Sequence, residues 1–255
     1  MKTITDRHAY ILERLREKGK VNITELIEEM NVSGVTIRKD LKLLEEKKLL
    51  FRTRGGGSSN NPYAIERPIN EKEFINSGEK KRIARAAMAL IEQTDSIIIG
   101  SGTTVFELAR CLQSEKRIIV ITPALRVALE LCNRPNIEIL QLGGLIHHSS
   151  SSAAGSFAER ILDELSCGML FIGVDGIDLD HGLSITNIVE ASLNQKMINM
   201  AQTVVVLADS SKFDRRGLGK ICNLEQIDII ITDKGVSEET VARVEKAGVR
   251  VIIAE

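Results

Sequence analysis

Between residues 20 and 57 the chain sets out four pieces in an order that few folds accept. A helical pattern from Thr24 to Met30 runs into the turn Asn31-Val32-Ser33. The segment Val35-Thr36-Ile37-Arg38-Lys39-Asp40-Leu41 follows, and then the basic, glycine-rich stretch Phe51-Arg52-Thr53-Arg54-Gly55-Gly56-Gly57. Helix, turn, second helix and basic hairpin predict a winged helix-turn-helix. Upstream, Ile4, His8, Ile11, Leu12 and Leu15 recur at helical spacing, and Gly19 ends that run. Val21-Asn22-Ile23 alternates like a short strand. Thr24 is expected to cap the next helix over Leu26, Ile27 and Met30, and Ser33 the one after, with Val35, Ile37, Leu41 and Leu44 on its apolar side.

Charge separates this head from the rest. The chain of 255 residues carries a net charge of −1, yet residues 1–57 hold 13 Lys and Arg against 9 Asp and Glu, so the head is +4 and the remainder −5. A basic head on an acidic body suits a polyanion partner for the head alone; its plainer counterpart is a three-helix bundle with a solvated charged face. The polar side of the second helix offers Ser33, Thr36, Arg38, Lys39 and Lys42, and the hairpin adds Arg52 and Arg54. Ser33 and Thr36 sit where helix N-terminal amides favour a phosphate. Arg38 has the fork for bidentate contact with guanine or phosphate. Asp40 is expected to orient a neighbouring cation.

Ser58-Ser59-Asn60-Asn61-Pro62 is a turn-rich break. It divides the chain into a head at 1–57, a linker at 58–78, packed on one domain or free, and a larger domain at 79–255. In that larger domain short β-branched runs (97–99, 118–121, 137–142, 169–174, 204–207, 227–231 and 249–253) alternate with helical stretches at 79–92, 103–113, 124–133, 155–166, 189–201 and 236–247. Continuous apolar strands alternating with helices predict an α/β fold with a mostly parallel sheet covered on both faces.

Such sheets bind ligands beyond the carboxyl ends of their strands. After Ile97-Ile98-Ile99, the loop Gly100-Ser101-Gly102 leads into a helix at Thr103. Backbone amides at that helix start, with the Ser101, Thr103 and Thr104 hydroxyls and the backbone of Gly102, would cradle a phosphate. It lacks the Gly-Lys-Ser/Thr ending of a P-loop, and a simple capped turn is its bland reading. Asp175 follows another strand and could accept bonds from sugar hydroxyls; Lys212 follows a third and could pair with an anion. Singly they read as a turn former and a surface charge; together, both at strand ends, they favour a pocket. His147-His148 lacks a third ligand at useful spacing, so no metal site is expected. Cys111, Cys132, Cys167 and Cys222 follow no paired spacing. With no signal-like opening and no long apolar run, these cysteines suit a reducing cytoplasm.

The residues Gly19-Lys20-Val21 to Leu26, Val32-Ser33, Thr36-Ile37-Arg38-Lys39-Asp40-Leu41, Leu44-Glu45 and Arg52-Thr53-Arg54-Gly55-Gly56 resemble the N-terminal domain of the DeoR family of bacterial transcriptional regulators. Lys39 stands where a second Arg is usual, Lys48 replaces a usual Gly and Arg54 a usual His. The resemblance continues through Glu79-Lys80-Lys81-Arg82-Ile83-Ala84, Ser101 to Thr104, Leu142-Gly143-Gly144, Gly173 to Asp178, Ala208 to Phe213 and Ile231-Thr232-Asp233. It implies a C-terminal domain like ribose-5-phosphate isomerase that senses phosphorylated sugars or polyols. It further implies a cytoplasmic homo-oligomer on double-stranded operator DNA, acting as a repressor in carbohydrate metabolism, with no cofactor and no catalytic residue. By the alignment to those isomerases, Gln195 takes the position of the catalytic Glu and Thr186 that of a Lys. Gln cannot abstract a proton, which predicts a pocket that binds without turnover; Glu190 is expected to point to another face. The expected effector residues are Ser101, Gly102, Thr103, Thr104, Asp175, Gln195 and Lys212. The rival reading is a sugar-phosphate isomerase carrying a nucleic-acid-binding head.

Overall fold

The computed structural model describes residues 3–53, 55–59, 63–91 and 94–255. The chain divides into two compact units, Met1–Tyr63 and Ala64–Glu255.

In the first unit, helix α1 (Ile4–Lys18) opens on a capping box between Thr3 and Asp6 and stops at Gly19, whose φ of +71° suits a residue without Cβ. Strand β1 (Lys20–Asn22) leads directly into α2 (Ile23–Met30). The cap of α2 is Asn22, whose side chain accepts from the Thr24 amide, so the expected Thr24 cap lies two residues late and Ile23 is helical rather than extended. Ser33 caps α3 (Gly34–Glu46) as expected, accepting from the Thr36 amide at 3.2 Å. Ile37, Leu41 and Leu44 are buried with Ile11, Leu26, Met30 and Leu50. Val35, expected beside them, is 73% exposed. Residues two apart are about 200° apart around a helix, so Val35 and Ile37 cannot share a face.

Strands β2 (Phe51–Thr53) and β3 (Gly56–Ser58) form the wing, and β1 pairs with β3 to make a three-stranded antiparallel sheet ordered β1-β3-β2. A Cβ on Gly56 would lie 1.7 Å from the Val21 carbonyl oxygen, so the close approach of the two strands requires glycine there. Arg54 lies outside the described residues.

The stretch read as a linker at 58–78 contains folded structure at both ends. Ser58 pairs with Lys20 in the head sheet, and the Ser59 amide donates to the Gly19 carbonyl. From Ala64 onward the chain belongs to the second unit and forms helix α4 (Ile69–Phe74).

Beyond α4 the second unit runs α5 (Ser77–Ile91), β4 (Ser96–Ile99), α6 (Thr103–Cys111), β5 (Ile118–Thr122), α7 (Leu125–Leu131) and β6 (Ile137–Gln141). A hairpin of β7 (Leu145–His147) and β8 (Ser152–Ala154) precedes α8 (Ser156–Leu162) and β9 (Cys167–Ile172). Then come β10 (Gly176–Asp178), β11 (Gly182–Ile185), α9 (Ile188–Met200), β12 (Ala201–Leu207), β13 (Gly219–Cys222), β14 (Ile229–Asp233), α10 (Glu238–Lys246) and β15 (Arg250–Ala254). Seven strands form one parallel sheet, ordered β15-β14-β12-β9-β4-β5-β6. These are the seven apolar runs read from the sequence. The hairpin and a small antiparallel sheet, β10-β11-β13, have strands too short to show a periodicity.

Alternation along each strand assigns its side chains to two cores. Ile97, Ile99, Val120, Phe171, Val205 and Ile231 pack with Ile83, Ala87 and Ile91 of α5, Leu108 of α6 and Val127 of α7. Ile98, Ile121, Leu170, Ile172, Val206 and Ile230 pack the other way, with Leu162 of α8, Met197 of α9 and Val244 of α10. Both faces are covered, so a polar partner is reached only at strand ends. From β4 the chain builds outward through β5 and β6, then returns to place β9 on β4's other side. The gap between the carboxyl ends of β4 and β9 is therefore the switch point of the sheet, where such folds leave a crevice.

Candidate functional sites in the two units

On α3 the side opposite its buried residues exposes Val35, Arg38, Lys39 and Lys42. These fall three and four residues apart and so form one stripe. Among the described residues, Arg38 and Lys39 make no ion pair, while Lys42 lies 3.9 Å from Glu46. Ser33 and Thr36 at the helix start bond one another through their hydroxyls at 2.9 Å. Asp40 turns inward, 1% exposed, and takes Arg7 Nε at 2.6 Å and a second Arg7 nitrogen at 3.0 Å. His8 Nε2 lies 3.4 Å from the same carboxylate. Asp40 thus orients a cation, as expected, but one on α1; its consequence is to pin α1 to the helix bearing the exposed stripe. The side chain of Arg52 is exposed on β2, whose amide donates to Glu45.

In the second unit, a solvent-open cleft sits at the switch point. Ser101, Gly102, Thr103 and Thr104 line it, together with Asp175 and Lys212. Gly102 has a φ of +125° and caps α6 without a side-chain bond, which leaves the first-turn amides of that helix to other acceptors. The three hydroxyl residues beside it are buried to within 9% of their surface.

Asp175 is 7% exposed and fully engaged. One carboxylate oxygen accepts from the Thr186 amide at 3.1 Å and hydroxyl at 3.0 Å, and the other from Lys72 Nζ at 2.8 Å. Burial works to raise its pKa, but the Lys72 ammonium, the charge of Lys212 and the Thr186 amide outweigh burial and hold it below the usual carboxylate range. Burial lowers Lys212, against the pull of Asp175 and Asp209. Nearby Lys80 is lowered to about 8, chiefly by burial, and its ammonium donates to the Lys72 carbonyl. The cleft thus sets Lys72 and Lys212 beside the buried carboxylate of Asp175, next to a helix N-terminus.

Gln195 is not part of the cleft. It is exposed on α9, and its amide donates to the Lys220 carbonyl at 3.1 Å. Glu190, expected to face elsewhere, lines the cleft, 5% exposed, and accepts a bond from the Ser150 hydroxyl. Burial raises its pKa, with Asp175 adding to the rise and Ser150 opposing it. The reason lies in the helix start. Thr186 closes on Asp175 and Asn187 caps α9 through the Val189 and Glu190 amides. That turns the first helical turn toward the cleft, and a residue five positions further points about 140° away. The Asn187 cap was the sequence signal for this; the alignment that favoured Gln195 overlooked it.

Further cleft residues escaped the sequence reading, among them four polar or apolar side chains from outside the sheet. Ile69 and Lys72 come from α4, in the supposed linker, and Ser149 and Ser150 from the loop of the β7–β8 hairpin. The partner of the Asp175 motif, Asp178, instead binds Arg216 at 2.7 and 2.8 Å and steadies the β10–β11 turn. His147 bonds Glu66 at 2.7 Å and lies 3.1 Å from Asn187. Among the described residues no group of three His, Cys, Asp or Glu is placed to hold a metal ion, and no helix is long and apolar enough to cross a membrane.

A winged helix-turn-helix with an exposed cationic stripe, followed by a parallel α/β domain with a cleft at its switch point, is the plan of a ligand-responsive DNA-binding regulator. Residues 7–63 match the DeoR-like helix-turn-helix domain, and residues 75–234 match the DeoR C terminal sensor domain. A protein of Escherichia coli O157:H7 named "Putative aga operon transcriptional repressor" is 38% identical over 252 residues, 98% of this chain and 93% of that protein. The lactose phosphotransferase system repressor of Lactococcus lactis subsp. lactis is 36% identical, over 90% of this chain and 91% of its own. Among solved structures, ribose 5-phosphate isomerase A from Methanocaldococcus jannaschii superposes with a TM-score of 0.40 at 19% identity, covering 54% of this chain and 55% of that one. The chain belongs to the DeoR family of helix-turn-helix transcriptional regulators.

Proposed function

We propose that this regulator represses a carbohydrate-metabolism operon from the cytoplasm and is controlled by a phosphorylated sugar or polyol bound in the second unit. The observation that carries the reading is the cleft at the switch point. Amides and hydroxyls of Ser101 to Thr104, with the Lys72 and Lys212 ammoniums, suit a phosphate, while Asp175 and Glu190 suit the hydroxyls of a sugar. The names of the two relatives, repressors of an aga operon and of a lactose phosphotransferase system, support the carbohydrate setting.

In this reading Arg38, Lys39, Lys42 and Arg52 meet operator DNA, with Ser33 and Thr36 at the phosphates. One small winged head reads few bases, so the working form is a homo-oligomer whose paired heads span two half-sites. The effector acts by binding one arrangement of that oligomer better than another, and can shift DNA affinity only by that preference. The test is a gel shift on DNA upstream of the neighbouring genes, titrated with a panel of sugar phosphates. Specific retardation that no sugar phosphate alters would reject the sensor half of the proposal.

Glu190 gives the isomerase reading a specific footing, since a buried carboxyl in a sugar-phosphate cleft is the group that proton transfer between neighbouring carbons needs. The same panel, incubated with the protein and assayed for aldose–ketose conversion, separates the two. Turnover at ordinary enzymatic rates would favour the enzyme.

A further inference from the structure

The segment from Ala64 to Asn76 begins where the first unit ends, is bonded to the second unit from its first residue, and lines the cleft with Ile69 and Lys72. The Ala64 amide donates to the Arg216 carbonyl at 2.8 Å, and the Ile69 amide to the Ser149 carbonyl at 2.7 Å. Glu66 holds Ser149 and His147. Glu73 takes Arg126 at 2.7 Å and Arg110 at 3.0 Å, and both guanidiniums lie over the Phe106 ring of α6. Asn76 donates to Asp209 at 2.9 Å. This strap is a wall of the effector cleft, and it is also the covalent path to the head.

One tie in the strap differs in kind from the others. Lys72 Nζ and Asp175, 2.8 Å apart, are both cleft-lining groups, and each is suited to a different part of a sugar phosphate. An anion seated at Ser101 to Thr104 attracts the ammonium, while sugar hydroxyls compete for the carboxylate oxygen it holds. Asp175 has compensation without Lys72, because Thr186 binds its other oxygen and Lys212 supplies charge. Exchange of partners is therefore open to both groups, whereas loss of Glu73 or Asn76 ties would leave their partners with nothing from the ligand.

Resting on the sugar-phosphate reading of this cleft, we propose that the strap 64–76 transmits occupancy to the DNA-binding head, and that the Lys72–Asp175 ion pair is its latch. Ligand binding trades that pair for ligand contacts and shifts the strap between two positions, and operator affinity changes with it.

The test compares wild type, Lys72→Met, Asp175→Asn and Lys72→Arg by operator binding without ligand, and again with ribose 5-phosphate, fructose 1-phosphate and galactose 6-phosphate at saturation. Breaking the pair from either side should change unliganded operator affinity in the direction the ligand changes wild type, by a large share of a response of about 5- to 150-fold. Lys72→Arg should behave as wild type. Slowed or quickened hydrogen exchange at the Ile69 amide on adding the active sugar phosphate should report the strap itself. The latch is overturned if Lys72→Met and Asp175→Asn, both folded by thermal melt, bind operator as wild type does without ligand. Lys72→Met then differs only by a weaker ligand affinity, which marks Lys72 as a contact and nothing more. A wild type that none of the three sugar phosphates stabilises or alters fails earlier, at the reading of the cleft.

Discussion

Asp40 sits on α3, the helix that carries the exposed cationic stripe, yet points inward, gripping Arg7 of α1 through two nitrogens at 2.6 and 3.0 Å. The pair spans the head and sets the angle at which the stripe of Val35, Arg38, Lys39 and Lys42 is presented. Removing the carboxylate deletes both bonds that tie Arg7 of α1 to α3. Asp40→Ala should therefore lower the unfolding midpoint of the head and abolish operator binding, while the second unit melts unchanged. Differential scanning calorimetry beside a gel shift reads both; full operator binding by a stable variant would show the pair to be dispensable.

Arg38 and Lys42 should separate base reading from phosphate contact. Arg38→Ala should weaken operator binding by ~1–3 kcal/mol and relax base preference at one position of each half-site. Lys42→Ala or Arg52→Ala should weaken all sequences alike and reduce the salt slope of binding by about 1 per site. Titrations of specific and scrambled duplexes across salt concentrations distinguish the two behaviours.

Thr103→Ala combined with Thr104→Ala removes two hydroxyls of the cradle, both nearly buried. The expected result is a protein that still binds operator and no longer answers to sugar phosphate. In wild type, ligand at a hundredfold over Kd should add about 2.7 kcal/mol of stability, and the double variant should show none of it. Loss of operator binding as well would assign these residues a folding role.

Glu190 makes stability depend on pH in a direction that can be worked out. Its folded pKa is raised above the ordinary 4.5, chiefly by burial. Such a group favours the folded state while protonated, and the contribution is lost as pH rises through the folded value. Glu190→Gln, which keeps the shape and stays neutral, should raise the melting temperature at neutral pH. The gain should shrink on acidification and vanish below the ordinary carboxylate range. A gain independent of pH would mean that the Glu190 carboxyl is not strained by burial.

Gln195 supplies the contrasting control. Exposed and bonded only to the Lys220 carbonyl among the described contacts, it should tolerate Gln195→Ala with no change in ligand response. A lost response would return it to the site.

The sequence alone determined what depends on neighbours along the chain. Helical spacing and the Ser33 cap marked α3, seven β-branched runs marked the seven sheet strands, and the Gly100-Ser101-Gly102 loop marked a place where a strand meets a helix start. These are short-range matters of propensity, capping and periodicity, so they can be read locally. Direction in space was another matter. Val35 and Gln195 were assigned to faces they do not occupy, because a residue's face depends on where its helix begins and what packs against it. Lys72 carries no local signal at all: it lies 103 residues from Asp175, and only the folding of the strap onto the sheet's switch point brings them to 2.8 Å. Which side chains converge on the cleft was decided by tertiary structure, since burial and charge pairing between distant segments, unlike helix and strand formation, leave no period in the chain.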